Sequence, residues 1–485
     1  SWGVIAAQLA REAGAPVKLF LNRAPEHHIG GVSPGGTQKF RAGASKDGKL
    51  TVLERVVYGD GFNPGPGPEY VYVAPAVSRN EFLPLNLNAG KGRAFRAPHH
   101  PHVCFATEQV MDELAHALGM DPIEFRIRNL NPDSSDPTRA TVDRTRIAQL
   151  RHGAELIGWN RRNNPPGAGK GPIKRGIGVA CHTWGGGPHG NNTEIRIFSD
   201  GRVEVRTATQ DLGTGTRTNI ALVAAEELGL MPDQITVFIG NTDYPPDGGS
   251  GGSTTVGAVA SGAKIAAEKA KQALFAKVAA DLGASAADLD IGEGGRVFVK
   301  GNPSRSLTWK QACAKIGPEP LVVRRTQGEN QPGLTSSGVA GVQFAEVEVD
   351  TETGKVRVVK FVAIQDQGFV VNRLTCEGQI YGGAIMGISW ALGEQRILDP
   401  KSGIMLNPDI LNYRIAGPKE IPEIITVVWD PPEVRARGVI GNGEPPVIAP
   451  AGAIANAIYN AIGVRVRELP FTPDRILNAL ARKEA

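Results

Sequence analysis

The chain has few cysteines, no long apolar run and little excess charge. Its four cysteines, Cys104, Cys181, Cys313 and Cys376, lie far apart, so the sequence has no CxxC metal or redox motif and predicts buried thiols in a reduced protein. No apolar run reaches the roughly 18 residues of a membrane helix. The formal net charge of +4 is small for 485 residues and the basic residues do not cluster, which argues against a nucleic-acid partner.

The beginning of the chain lacks an initiator Met, a signal peptide and a polar tail. The segment SWGVIAAQLAREAG predicts an amphipathic helix that ends at Gly14, and VKLFLNR after it predicts an apolar strand. A chain that opens directly into such elements looks as though it begins inside a domain. We therefore expect an earlier piece to lie on another polypeptide or to have been removed.

The order of predicted elements favours the α+β class. Strands pair locally, as at the Lys-Asp-Gly turn of residues 46–48, and helices follow in blocks instead of alternating with parallel strands. Hydrophobic residues make up 41% of the chain, enough for substantial cores. A polar stretch rich in Asn, Pro, Gly and Arg separates two larger parts. The predicted division is a first domain at 1–135, a connector at 136–175 and a second domain at 176–485.

Several common catalytic motifs are absent or incomplete. Residues 248–252 match GxSxG, but no strand precedes them and every histidine lies at or before His189, so the order of serine-hydrolase residues cannot be met. The HHPH at 99–102 has no further ligand cluster with it, which makes a dedicated zinc site a poor interpretation. Neither a GxGxxG after a strand nor a GxxxxGK[ST] motif occurs, so no dinucleotide fold or P-loop is indicated.

Five glycine-rich or constrained loops each precede a predicted helix. Any one of them alone is better explained as a structural turn. Together they could present backbone N–H groups and helix N-termini to a large anionic ligand such as a phosphorylated cofactor. The five loops are residues 92–98, 210–216, 247–255, 365–373 and 441–446.

Specific segments, in order over more than two thirds of the chain, resemble the large, molybdenum-cofactor-binding subunit of the xanthine oxidase family. They are GRAFRAPHHPH with the helix after it, QDLGTGTRTNIALVAAEELG, GNTDYPPDGGSGGSTTVGAVASGAKIAA, GQIYGGAIMGISWALGE and GNGEPPVIAPAGAIANAIYNAIGVRV. The resemblance implies two elongated mixed-sheet cofactor-binding domains with helices packed on the sheets. It also implies that the portion preceding Ser1 in that family, with its Phe-Gly loop over the metal, is missing here.

The resemblance assigns roles to particular residues. Glu444, on a loop stiffened by Pro445 and Pro446, corresponds to the general base beside the metal. No protein side chain is expected to ligate the metal directly. The segment at 98–100 would line part of the substrate pocket, through Pro98, His99 and His100. The cofactor-binding residues implied are Arg96, Ala97, Gly213, Thr214, Gly215, Ser253, Thr254, Thr255, Gln379 and Gly443.

Two departures from the family pattern bear on the substrate. Thr214 stands where the second glycine loop often has Gln, and an aldehyde-oxidising branch shares this GTGT sequence. Ala97 stands where the carbon monoxide dehydrogenase branch has Cys, which argues against carbon monoxide. The resemblance therefore implies oxidation of an aldehyde, aromatic by expectation, to its acid with water as the oxygen source. Two alternatives remain open: hydroxylation of an N-heterocycle, and a cofactor-binding fragment that is inactive without its missing piece.

The resemblance also implies cofactors and partners. The expected cofactor is molybdenum-molybdopterin cytosine dinucleotide with sulfido and oxo ligands. Because the chain has no paired cysteines and no flavin or nicotinamide fingerprint, iron–sulfur clusters and FAD or haem are expected on partner subunits. The complex is expected in the cytoplasm, or in the periplasm if a partner carries an export signal.

Overall fold

The computed structural model describes residues 2–31, 33, 35–59, 70–84 and 92–484. The α-helices in these residues are α1 (Trp2–Ala13), α2 (Arg23–Ile29), α3 (His100–Ala117), α4 (Pro122–Arg128), α5 (Pro137–Ile157), α6 (Thr216–Leu228), α7 (Thr255–Val278), α8 (Trp309–Cys313), α9 (Arg373–Leu392), α10 (Pro432–Arg435), α11 (Pro450–Ile462) and α12 (Pro473–Glu484). The strands are β1 (Gly36–Ala44), β2 (Leu50–Gly59), β3 (Val77–Pro84), β4 (Ile173–Trp184), β5 (Thr193–Ile197), β6 (Val203–Arg206), β7 (Ile235–Phe238), β8 (Leu289–Gly292), β9 (Arg296–Val299), β10 (Asn302–Leu307), β11 (Leu321–Arg325), β12 (Val339–Asp350), β13 (Val356–Asp366) and β14 (Glu423–Trp429).

The described strands form four sheets. Three of them are mixed, with both parallel and antiparallel neighbours, and β10-β9-β8 is antiparallel. Their orders are β1-β2-β3, β10-β9-β8, β11-β5-β6-β7 and β14-β13-β12-β4. Strand β4 pairs with β12 from more than 150 positions away, and β13 pairs antiparallel with β12 but parallel with β14. Helices pack on these sheets, which confirms the predicted α+β class and mixed sheets.

Helix α11 packs on the sheet that contains β4 and β12, and all of its residues are buried. Gly178 on β4 makes this close contact possible, because a Cβ there would lie 2.2 Å from the backbone nitrogen of Ala457. Asn456 of the same helix donates its side-chain N–H to Glu108 O and Val179 O, both at 3.0 Å. The helix that follows the Glu444 loop is thus immobilised against the sheet.

A buried charge cluster ties α3 to this arrangement. Glu108 Oε2 accepts hydrogen bonds from Arg126 Nε at 2.9 Å and from the Cys181 backbone N–H at 3.0 Å. Its other oxygen accepts from the Tyr72 hydroxyl at 2.7 Å, and the Glu108 and Arg126 side chains are fully buried. Because α3 begins directly after the 92–98 loop, this cluster anchors that loop relative to β4 and α11.

Some local predictions were wrong. Residues 17–21 form no strand and Phe20 is 84% exposed, because no neighbouring strand in the described part of the chain pairs with this segment. The HHPH segment does not precede α3 but begins it, with proline in the first turn, where its missing N–H is harmless. The predicted connector at 136–175 is not among these errors. It contains α5, whose Gln149 donates to Ala340 O at 3.4 Å, so this helix packs on the sheet of β12, and the bounds of the connector remain a prediction.

Candidate active site

The carboxylate of Glu444 is half-buried and held by donors from two other loops. Its Oε1 accepts from the Ala97 backbone N–H at 3.1 Å, and its Oε2 accepts from the Ser253 hydroxyl at 3.2 Å. Burial raises the pKa of the Glu444 carboxyl above its ordinary value, while these two hydrogen bonds and the positive charge of Arg96 oppose the rise. Because both oxygens accept a hydrogen bond, the carboxylate is held in one orientation. Each oxygen still has a second lone pair that can accept a proton.

Arg96 connects the Glu444 loop to helix α9. Its Nε donates to Gly443 O at 2.7 Å, and its Nη2 donates to Gln379 O at 3.0 Å and Gln379 Oε1 at 3.3 Å. Burial lowers the pKa of the Arg96 guanidinium, and the negative charge of Glu444 opposes this shift. Six predicted site residues therefore form one hydrogen-bonded cluster: Arg96, Ala97, Ser253, Gln379, Gly443 and Glu444.

The same cluster contains most of the unusual backbone conformations. Within the described residues, the non-glycine residues with positive φ are Ala97 (55°), His99 (64°) and Ser253 (60°). Such conformations disfavour L-residues and persist where the surrounding structure enforces them, often at functional sites. In Ala97 and Ser253 the strained residue itself supplies a donor to Glu444, so the strain coincides with the placement of the carboxylate.

Further hydrogen bonds hold the Glu444 loop against the 365–373 loop, and they involve residues that the sequence analysis did not single out. Asn442 donates its side-chain N–H to Gln367 Oε1 at 2.7 Å, and Ile440 donates its backbone N–H to Gln367 O at 3.0 Å. Gly441 is needed for close approach, because a Cβ there would lie 1.5 Å from Ser253 O. The only sequence signal for Gln367 and Asn442 was their membership of two of the five loops.

The backbone N–H groups of the 210–216 loop were predicted to face a ligand, but in the structure they donate to a side chain of the same loop. Asp211 Oδ1 accepts from the backbone N–H groups of Gly213, Thr214 and Gly215 at 3.0, 3.0 and 3.3 Å. The carboxylate of the loop's own aspartate thus occupies these donors. Whether these three residues contact the cofactor remains a prediction.

The 210–216 loop adjoins the 247–255 loop. Ser250 donates its backbone N–H to Gln210 Oε1 at 2.8 Å and its hydroxyl to Gln210 O at 3.2 Å. Thr254 donates its hydroxyl to Gly251 O at 2.8 Å, and Thr255 donates to Ser250 Oγ at 3.1 Å. These contacts stabilise the loop at the start of α7 and bring two predicted cofactor segments together.

Buried polar atoms beside these loops lack hydrogen-bond partners among the residues that the structure describes. They are Thr209 Oγ1, just before the 210–216 loop, Asn219 Oδ1, in the first turn of α6, and Gln367 Nε2, in the loop before α9. Buried polar groups in native proteins are nearly always satisfied, so unpartnered ones near a site indicate a polar ligand or water. One amide oxygen that accepts, one amide nitrogen that donates and one hydroxyl that can do either suit a heterocycle rich in N–H and C=O groups.

The three predicted pocket residues, Pro98, His99 and His100, directly follow Ala97 in the chain. His99 is buried at the N-terminal cap of α3. The ring of His100 packs edge-on against Trp184 with 4.5 Å between centroids, and burial lowers its pKa to about 4. Trp184 in turn donates its indole N–H to Gly252 O at 2.9 Å. His100 thus supports the turn before Ser253, and a substrate contact by Pro98, His99 or His100 remains a prediction.

Comparison with known sequences decides the family. The sequence model described as molybdopterin cofactor-binding domain matches residues 1–130 in one form and 152–422 in a second. The chain belongs to the molybdopterin cofactor-binding domain family. The resemblance to the large subunit of the xanthine oxidase family is thereby confirmed, and the cofactor is a molybdenum-molybdopterin. The predicted domain boundaries at 135 and 175 remain a prediction.

Named relatives extend this result. The chain is 32% identical to the aldehyde oxidoreductase molybdenum-binding subunit PaoC of Escherichia coli (strain K12), over 98% of this chain and 65% of that protein. It is 30% identical to the xanthine dehydrogenase molybdenum-binding subunit of Escherichia coli O157:H7, over 96% of this chain and 64% of that protein. The chain therefore spans a little less than two thirds of the length of these curated relatives.

Solved structures show the same fold. The aldehyde oxidoreductase from Desulfovibrio gigas superposes with a TM-score of 0.78 at 26% identity, covering 98% of this chain and 52% of that one. Carbon monoxide dehydrogenase from Oligotropha carboxidovorans superposes with a TM-score of 0.79 at 23% identity, covering 99% and 65%. Among the described residues, no helix of this molybdopterin-binding chain has the length and apolar character needed to cross a membrane.

The residues of the site fit a molybdopterin. Arg96, Ser253 and Gln379 belong to the hydrogen-bonded cluster that includes the half-buried Glu444 carboxylate. Buried polar atoms without partners among the described residues lie next to the 210–216 loop, in the first turn of α6 and in the loop before α9. Arg96 and Gln379 would hold the pterin side, and the 247–255 loop would hold its phosphate-bearing end.

Proposed function

We propose that this chain is the molybdenum-binding part of a hydroxylase that oxidises an aldehyde, aromatic by preference, to the carboxylic acid with water as the oxygen source. The observation that carries the proposal is the carboxylate of Glu444, half-buried and oriented by Ala97 and Ser253 within the hydrogen-bonded cluster of predicted site residues. The name of the PaoC relative, an aldehyde oxidoreductase subunit, supports the substrate class.

The chain's own residues account for the proton chemistry. When bound, the molybdenum centre supplies a two-electron acceptor for the substrate carbon. Glu444 accepts the proton that is released as oxygen from water is transferred to that carbon, a role that requires a carboxylate fixed within hydrogen-bond reach. Ala97 N–H and Ser253 O–H hold the carboxylate in one orientation, and the charge of Arg96 favours its ionised form.

The cofactor form and the partners belong to the same proposal. We infer a cytosine dinucleotide form of the cofactor, with iron–sulfur clusters and FAD or haem on partner subunits. Two electrons must leave the site, and the four cysteines of this chain are unpaired, three of them buried. The portion of the relatives that has no counterpart here would lie on a separate chain or have been lost by truncation. Cytoplasmic location, with the periplasm as the alternative, remains a prediction.

One alternative substrate class has support of its own. The xanthine dehydrogenase relative is nearly as similar as the aldehyde oxidoreductase relative, and xanthine is an N-heterocycle. The same base could serve hydroxylation of a ring carbon next to nitrogen. A fragment that binds cofactor but is inactive alone is the other alternative.

A substrate panel separates these possibilities. The purified complex and the isolated chain, each with its molybdenum content measured, would be mixed with an aromatic aldehyde or with an N-heterocycle, and cofactor reduction followed in a single turnover. We expect fast reduction of the complex by the aldehyde. Faster reduction by the heterocycle would replace the aldehyde proposal, and reduction of the complex but not of the isolated chain would identify the fragment. A complete complex without molybdenum and pterin would refute the function altogether.

A further inference from the structure

The hydroxyl of Ser253 makes two hydrogen bonds with a single residue, Glu444. It accepts from the Glu444 backbone N–H at 2.8 Å and donates to Glu444 Oε2 at 3.2 Å. A hydroxyl has one proton to donate and lone pairs to accept, so one Oγ atom satisfies both groups at once. The backbone and the carboxylate of Glu444 are thereby locked to the same point on a different loop, 191 positions away.

The conformation of Ser253 shows that this placement is enforced. Its φ of 60° is in the left-handed region, which is unfavourable for a serine outside a tight turn. Glycine would adopt it without strain, and glycines stand at 251 and 252 directly before it. The backbone carbonyl of Ser253 lies so close to Gly441 that a Cβ at position 441 would not fit. A side chain is therefore retained at a position where the backbone alone favours glycine.

We propose that Ser253 is the positioning residue of Glu444. The Ser253 hydroxyl orients the Glu444 carboxylate and keeps it ionised for proton transfer. This inference rests on the proposed function, because it assigns Ser253 to the base and not to the pterin or its phosphates, where the family resemblance placed it. Ser253 touches no reacting atom in this role and acts through Glu444.

The electrostatic surroundings of Glu444 make the loss of the hydroxyl measurable. Burial raises the pKa of the Glu444 carboxyl, and the opposing groups are the Ala97 N–H, the Ser253 hydroxyl and the charge of Arg96. Removal of a donor to the ionised form shifts the balance toward the protonated form. Without the Ser253 hydroxyl, the pKa of Glu444 should rise and the carboxyl should stay protonated to higher pH.

The test compares Ser253→Ala with Ser253→Gly in the intact complex. Both variants lose the hydroxyl, but glycine also relieves the positive φ, so Ser253→Gly should resist urea better than Ser253→Ala. The pKa of Glu444 is followed by pH titration of the protonated-carboxyl infrared band that disappears in Glu444→Gln. This measurement needs no turnover. Ser261→Ala is the matched control, because its half-buried hydroxyl donates to the α7 backbone, at Gly257 O and Ala258 O, and has no other partner within the described part of the chain.

We expect both Ser253 variants to titrate at higher pH than the wild type and Ser261→Ala to titrate as the wild type does. Below the new midpoint, the single-turnover rate per molybdenum should fall about tenfold or more, the effect of losing a hydrogen bond to a charged group. An unchanged Glu444 titration in both variants, or a shift in only one, would overturn the inference, because the hydroxyl is lost in both. If Glu444→Gln kept the wild-type rate while the Ser253 variants shifted the titration, Glu444 would not be the base and the proposed function would fail. Only the structural part of the inference, the contact by which Ser253 positions the carboxylate, would then survive.

Discussion

Arg96 and Gly443 lie 347 positions apart in sequence, and the Arg96 Nε donates to the Gly443 carbonyl at 2.7 Å. The same guanidinium donates to Gln379 on α9. One side chain of the 92–98 loop therefore binds both the 441–446 loop and the helix that follows the 365–373 loop. Its charge also favours the ionised form of Glu444. Arg96 therefore has a geometric role and an electrostatic one, and the two can be separated.

Arg96→Lys and Arg96→Gln should differ in their pH profiles. Lysine keeps a positive charge but loses the planar fork, so the rate per molybdenum should fall at all pH values while the acidic limb stays in place. Glutamine removes the charge that lowers the pKa of Glu444, so the pKa of Glu444 rises and the acidic limb moves to higher pH. Single-turnover reduction measured from acidic to neutral pH checks this. Identical limbs in the two variants would show that the charge of Arg96 does not act on the base.

Glu444→Gln should abolish most of the rate without loss of metal. The amide keeps the size of the side chain but cannot take a proton, and loss of a general base typically costs about 10²–10⁴-fold. Molybdenum content should remain near that of the wild type, because no ligation by this carboxylate is proposed. The measurement is the reduction rate per bound molybdenum. Agreement with the wild type within about threefold would exclude Glu444 as the base, whereas low metal content with a normal rate per metal would indicate a structural role.

Gly441→Ala should destabilise the chain far more than Gly443→Ala. A Cβ at Gly441 would lie 1.5 Å from Ser253 O, whereas one at Gly443 would meet Ser253 Oγ and Gln379 Oε1 only at 3.8 and 3.9 Å. Forcing backbone shifts in a packed region costs about 1–3 kcal/mol or more. Urea unfolding of the two variants measures the difference. Equal stability would mean that the Ser253 and Gly441 backbones are not in close contact in solution.

The buried pair Glu108–Arg126 should dominate the stability of the region behind the site. Arg126→Met leaves the fully buried Glu108 carboxylate without its cation, which typically costs about 3–5 kcal/mol. The control is Arg467→Met at the ion pair with Glu113, whose arginine is 64% exposed, and which should cost about 0–1 kcal/mol. The free energy of unfolding in urea is compared between the two variants. Similar losses would contradict the assignment of Arg126 to the core.

The sequence by itself determined the class of fold, the family and the outline of the site. Composition excluded clusters of cysteine and membrane helices, and helix signals after glycine-rich loops are local, so the elements at 216–228, 255–278 and 373–392 were predictable. Glu444 stood out because a glycine that permits close approach precedes it and two prolines that stiffen the chain follow it. These features depend on residues a few positions apart, and such short-range patterns can be recognised from the sequence alone.

Only the tertiary structure decided which groups meet. The Ser253 hydroxyl has the capacity to bind a phosphate or a carboxylate, and in the structure it donates to the Glu444 carboxylate across 191 positions. The N–H groups of Gly213, Thr214 and Gly215 go to Asp211, and His100 packs behind the turn at Gly252 against Trp184. Segment 17–21 has strand character but no partner strand in the described residues. Hydrogen-bonding capacity is a property of each residue, but its partner is set by packing between loops that are distant in sequence.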